Sequence, residues 1–110
     1  YNQAVLNGKL LYTSGQIAIN PKNGVLVLDN IKAETKQVME NLRAVLKAAN
    51  MDFSNVIKTT IFISDMNNFS QINEVYGNYF DDASAPARET VQVACLPKNV
   101  NIEISVIASK

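Results

Sequence analysis

Arg88 and Glu103 are the two residues of this chain on which polar chemistry could turn. Arg88 follows Ala85-Pro86-Ala87 at the mouth of a β-branched stretch. A guanidinium held at the end of an element presents a two-pronged fork to a carboxylate. Glu103 stands between Ile102 and Ile104, so in an alternating strand it faces away from both and can hold and polarise a water molecule. Each residue also has an ordinary reading, as a solvated or ion-paired surface group. Ser14-Gly15-Gln16 closes an apolar run with a hydroxyl, a residue whose lack of a side chain lets a ligand approach the backbone, and an amide. The same tripeptide makes plain turns. Asn73 and Tyr76 border the apolar stripe of a helix, and Tyr1 is read on its own as a frayed end.

The chain contains no histidine, which removes the commonest general base, the Ser-His-Asp triad and every histidine-containing zinc site. Cys95, the single cysteine, has nothing to activate it and is expected to be a small core hydrophobe. Asp81-Asp82 lacks the spacing of a metal site, and the four glycines spell neither a P-loop nor a dinucleotide fingerprint. No metal and no cofactor are expected. Ten basic and ten acidic residues cancel, so nothing gathers phosphate backbones and a nucleic-acid partner has little support. No apolar run approaches the roughly 20 residues that span a bilayer. A lone cysteine fits a reducing compartment, the cytoplasm, or the mitochondrion in a eukaryote. Because the sequence opens on Tyr1 instead of Met, a few residues are expected upstream, a short targeting peptide included among the options.

The elements that must position these groups follow from periodicity. Asn7-Gly8 between two apolar stretches predicts a hairpin with a type I′ turn. Pro21 and Gly24 predict a second reversal, and 25–28 a short edge strand. Asp29 or Asn30 can cap a helix whose Ile31, Thr35, Val38, Leu42, Val45, Leu46 and Ala49 recur at helical steps, with Asn50 closing it in the left-handed conformation. Val56 to Ser64 reads as a strand, with Ile57, Thr59, Ile61 and Ile63 on one face. Asp65 or Asn67 caps a second helix ending near Asp81, striped by Phe69, Ile72, Tyr76 and Phe80. Two strands, 89–94 and 101–108, close the chain. At 110 residues the expectation is a single domain over 1–110, a two-layer α+β fold with both helices on one face of the sheet. Apolar residues in both strand registers predict self-association over the other face.

Read together, several segments resemble the RidA/YjgF family, also labelled endoribonuclease L-PSP. They are Tyr12-Thr13-Ser14-Gly15-Gln16-Ile17, Asn73-Glu74-Val75-Tyr76, Pro86-Ala87-Arg88, Leu96-Pro97 and Ile102-Glu103-Ile104, joined by Tyr1, Asn41-Leu42 and Val56 to Thr60. The resemblance covers nearly the whole chain. It implies a chorismate-mutase-like (bacillus type) subunit with a mixed sheet, assembled as a homotrimer with ligand clefts between neighbouring subunits. It also implies hydrolysis of reactive enamines and imines, such as 2-aminoacrylate, to 2-keto acids and ammonia without a cofactor. In that picture Arg88 binds the substrate carboxylate, Glu103 positions the attacking water, Ser14, Gly15 and Asn73 shape the cleft, and Tyr1 contributes a wall. Thr90 stands where many members carry cysteine, an exchange that backbone contact with ligand would tolerate. Glu89 replaces a common small residue and either pairs with Arg88 or turns to the other face. Two other readings stay open: a regulatory trimer that binds 2-keto acids without turnover, and an endoribonuclease or translation inhibitor, which zero net charge and the lack of histidine disfavour.

Overall fold

The computed structural model describes residues 1–110. The opening hairpin pairs β1 (Ala4–Asn7) with β2 (Leu10–Thr13), with Val5 opposite Tyr12 and Leu6 opposite Leu11. Its reversal falls on Gly8-Lys9, one residue later than expected, and only Gly8 takes positive φ, at 63°. That is the φ pattern of a type II′ turn, in which glycine fills the first central position, instead of type I′. The edge strand expected over 25–28 is absent: Leu26 makes a single bridge to Ile19. Asn20 and Asn23 turn their side-chain oxygens onto the amides of Lys22 and Val25, and these local bonds compete with a ladder.

Helix α1 (Ile31–Ala48) starts where Asn30 accepts a hydrogen bond from the Ala33 amide. It ends on Asn50 at φ 59°. The amides of Asn50 and Met51 reach back to the carbonyls of Lys47 and Leu46, a Schellman closure with Met51 and Leu46 both buried. Strand β3 (Val56–Ile63) follows. A bulge between Val56 and Lys58 shifts its register, so Val56 is buried in the position expected of Ile57, which is exposed. Helix α2 (Phe69–Gly77) is entered through a short 3-10 turn capped by Asp65. It stops a turn before Asp81, because the amides of Asn78, Tyr79 and Phe80 bond carbonyls three residues back. Phe80 still packs on the rings of Phe53 and Tyr76.

Strand β4 (Ala87–Gln92) begins and ends two residues earlier than expected, because its pairing with β3 ends where Gln92 meets Ile63. Cys95, beyond that end on a segment leaving the sheet, is exposed and not a core residue. Strand β5 (Ile102–Ser109) inserts in the middle, giving the order β1-β2-β5-β3-β4. Only the β3-β4 pair is parallel, with α2 as the crossover that such a pair requires. The fold is thus α+β, with a five-stranded mixed sheet and two helices.

Ile102, Ile104, Val106 and Ala108 of β5 join Thr59, Ile61 and Ile63 of β3 under Val38, Leu42, Leu46 and Ile72 of the helices, all buried. Burial of each large aliphatic side chain there contributes roughly 1.5–3 kcal/mol. The alternate residues face away from the helices. On that uncovered side Val5, Tyr12 and Val91 are 55%, 44% and 45% exposed.

Candidate active site

Arg88 pairs with Thr59 across the β3-β4 ladder, so its side chain rises on the helix-covered face. There α2 has built it a shelf. Phe69, Asn73 and Tyr76 fall one turn apart on one side of that helix. The guanidinium carbon lies 5.6 Å from the centre of the Phe69 ring and 5.1 Å from that of Tyr76, while Nη1 donates to Asn73 Oδ1. Tyr76 is fixed in turn by its hydroxyl, which donates to Thr59 Oγ1 at 3.0 Å in the core. Burial pushes the Tyr76 phenol above its ordinary pKa, against the opposing pull of the Thr59 bond and the Arg88 charge, so it remains a donor. Arg88 itself makes none of the salt bridges in the fold. Its remaining donors are free for an incoming carboxylate.

Thr90, two residues on, faces the same way, and its hydroxyl oxygen is buried without a hydrogen-bond partner. Glu89 takes the second of its two expected positions: it turns to the open face and pairs with Lys58 at 3.4 Å.

Glu103 belongs to a different surface. Ile102 and Ile104 point into the core, so Glu103 projects from the open face of β5. It lies against Gly15: a Cβ there would sit 2.5 Å from Glu103 Cδ and 2.8 Å from Oε2. The space left by the missing side chain is therefore filled by the glutamate. Gln16 locks the segment beside β5 through two backbone bonds with Ile104, at 2.8 and 3.1 Å. Ser14 Oγ donates to the Asn2 carbonyl at 2.6 Å and Gln16 Nε2 to Gln3 Oε1 at 2.9 Å, which ties the first residues alongside. Tyr1, Ser14, Gly15, Lys98 and Glu103 share the walls of an open cavity of about 800 Å3. Tyr1 is almost wholly exposed there.

The sequence-derived residues thus form two clusters: Arg88, Asn73 and Thr90 on one face, and Tyr1, Ser14, Gly15 and Glu103 on the other. Arg88 lies opposite Thr59 and Glu103 opposite Phe62, three residues apart along β3, roughly 10 Å at about 3.3 Å per residue. Two strand spacings add roughly another 10 Å across the sheet. A three- or four-carbon acid cannot touch both within one chain.

The shelf beneath Arg88 was not foreseen from sequence. Phe69 and Tyr76 read there as core stripe, and their spacing with Asn73 was the available signal. No three His, Cys, Asp or Glu side chains converge as a metal site would require, and no helix is long and apolar enough to cross a membrane.

The family model described as Endoribonuclease L-PSP matches residues 1–110. A rat protein named 2-iminobutanoate/2-iminopropanoate deaminase is 48% identical over 108 residues, 98% of this chain and 78% of its own length. A Yersinia pestis structure described as a member of the conserved Rid family superposes with a TM-score of 0.96 at 47% identity, covering 100% of this chain and 87% of that one. The Escherichia coli TdcF structure, solved with bound serine, gives a TM-score of 0.93 at 41% identity, with the same two coverages of 100% and 87%. With the family model matched from end to end, and relatives near half-identical over almost all its length, the chain belongs to the RidA/YjgF family, the family of the Endoribonuclease L-PSP model.

Proposed function

We propose that this protein hydrolyses small enamines and imines of 2-amino acids to 2-keto acids and ammonia, in clefts formed where copies of the chain meet. The observation that carries the reading is the unpaired, shelved guanidinium of Arg88, a receptor for a small carboxylate, on a chain whose candidate water-holding carboxylate, Glu103, lies on the opposite face. A second copy that brings its Glu103 face against the Arg88 edge completes the constellation, and the exposed Val5, Tyr12 and Val91 on that uncovered face favour such contact. Closure of three copies gives the homotrimer that the family resemblance implies. The amino-acid ligand of TdcF and the deaminase name of the rat protein agree with this substrate class.

The chemistry needs placement more than reactivity. The enamine tautomerises to the imine, whose electron-poor carbon accepts water. Arg88 fixes the carboxylate with two parallel donors, and Asn73 holds the fork in orientation. Glu103 accepts a proton from the water as its oxygen adds to the imine carbon and passes it to the nitrogen, giving a carbinolamine. Glu103 then carries the remaining hydroxyl proton to the nitrogen as the carbon–nitrogen bond breaks and ammonia leaves. Imine and water give keto acid and ammonia, with no electrons transferred. Tyr1, Ser14 and Gly15 border the water side, and Thr90 lines the carboxylate side.

The test is ammonia release from enzymatically generated 2-aminoacrylate. Acceleration by the wild-type protein and its loss in Arg88→Ala are expected. Binding of 2-ketobutyrate with no acceleration for any imine would replace this reading with the regulatory one.

A further inference from the structure

Glu34 is a fully buried glutamate in the first turn of α1, and no basic side chain pairs with it. Burying a carboxyl group is costly unless its oxygens are satisfied. Here both are, by a single residue: Oε2 accepts from the Asn101 backbone amide at 2.8 Å and Oε1 from Asn101 Nδ2 at 2.7 Å. Asn101 immediately precedes β5 and stands two residues before Glu103. Its other ties run to the end of β3, where the Ser64 amide donates to its carbonyl at 3.1 Å.

The chain reaches Asn101 through a tightly wound segment. Lys98 and Asn99 both hold φ at 55°, a left-handed conformation costing non-glycine residues roughly 1–2 kcal/mol each. Pro97 and Lys98 of that segment line the cavity that holds Glu103. A one-residue slip of β5 would turn Glu103 into the helix face and Ile102 and Ile104 outward. The point at which β5 enters the sheet therefore decides where the glutamate stands, and Glu34 grips the chain at that point.

We propose that Glu34 is a positioning residue for Glu103: from the far side of the sheet it clamps Asn101, setting the entry of β5 and the rim of the cavity. As a statement about hydrolysis it rests on the functional reading above, but the placement of Glu103 is measurable without turnover. An apolar residue at 34 would pack in the core and leave the Asn101 amide unsatisfied. Glutamine would keep one acceptor and, after a flip of the Asn101 amide, donate to Asn101 Oδ1, so both bonds survive.

The experiment compares Glu34→Ala, Glu34→Gln, Asn101→Asp and the Asn101→Asp/Glu34→Gln pair. It reads kcat and KM for imine hydrolysis and the 13C resonance of the Glu103 side-chain carboxyl. Glu34→Ala should lower kcat by about 100-fold, as displacement of a reacting group by about 1 Å does, with a shifted Glu103 resonance. Glu34→Gln should stay close to wild type on both. Asn101→Asp sets two carboxylates face to face and should lose activity, which the added Glu34→Gln, supplying a donor, should restore. That rescue decides the matter if Glu34→Ala does not fold. Folded Glu34→Ala with wild-type kcat and an unmoved Glu103 resonance would overturn the proposal, as would failure of the paired variant to recover. If the wild-type protein hydrolyses no imine, the functional reading falls and the carboxyl resonance alone judges Glu34.

Discussion

Arg88 and Glu103 stand on opposite faces of one sheet, Arg88 opposite Thr59 under α2 and Glu103 opposite Phe62 on the uncovered side. The proposed cleft between copies predicts complementation between subunits. Arg88→Ala and Glu103→Gln should each be inactive alone. Co-refolded in equal amounts, they should regain about a quarter of wild-type activity, because one random neighbour pairing in four joins an intact Arg88 to an intact Glu103 in a cyclic assembly. Ammonia release from the mixture checks this, and no recovery would overturn the shared cleft.

Gly15 is the contact surface of Glu103. A methyl group there meets the mobile end of the glutamate and not backbone, so Gly15→Ala should fold with little change in urea midpoint. Its carboxyl would be pushed aside, and kcat should fall by a factor on the order of 100. Paired kinetics and unfolding measurements separate the two effects.

The aromatic shelf under Arg88 gives a graded expectation. Phe69→Leu keeps an apolar contact but removes one ring face from the guanidinium, a loss of about 0.5–1 kcal/mol at such partly exposed sites. Binding of 2-ketobutyrate should weaken a few-fold by calorimetry while the glutamate side is untouched. Unchanged affinity would show that Asn73 and Tyr76 orient the fork without the Phe69 ring.

Thr90 carries a buried hydroxyl without a partner. Thr90→Val removes that group at nearly constant volume and should raise unfolding free energy by about 1 kcal/mol, the lower end of the cost of an unmet buried polar group. Urea denaturation measures it. Simultaneous loss of ketobutyrate binding would show that the hydroxyl serves the ligand.

Tyr79 supplies a pH dependence. Burial, with the bond to Glu40 and that residue's charge, pushes its phenol up from 10.0 to about 12. The folded state thus favours the protonated form, so the contribution is full below pH 10 and lost as pH rises from there toward 12. The stability difference between wild type and Tyr79→Phe should shrink across that interval, measured by urea unfolding at several pH values. A difference independent of pH would mean that the phenol titrates normally.

Local sequence determined what local physics controls. The amide oxygen of Asn30 and the tolerance of Asn50 for left-handed φ set both ends of α1, and alternation in Ile102-Glu103-Ile104 was enough to turn the glutamate away from the core. The lack of histidine likewise narrowed the residue types that could bear a reaction. What neighbours decide had to come from the folded chain. The bulge at Val56/Lys58 exchanged Val56 for Ile57 in the core through the pairing of β3 with β5. Glu34 stands in the first turn of α1, yet its only side-chain partner is Asn101, 67 residues away. The shelf of Arg88 required α2 to cross over the parallel β3-β4 pair. The separation of Arg88 from Glu103 required β5 to lie on the far side of β3 from β4. Periodicity encodes which way a side chain points from its own element; which other element it meets depends on strand order and register, and only the packing of the whole chain fixes those.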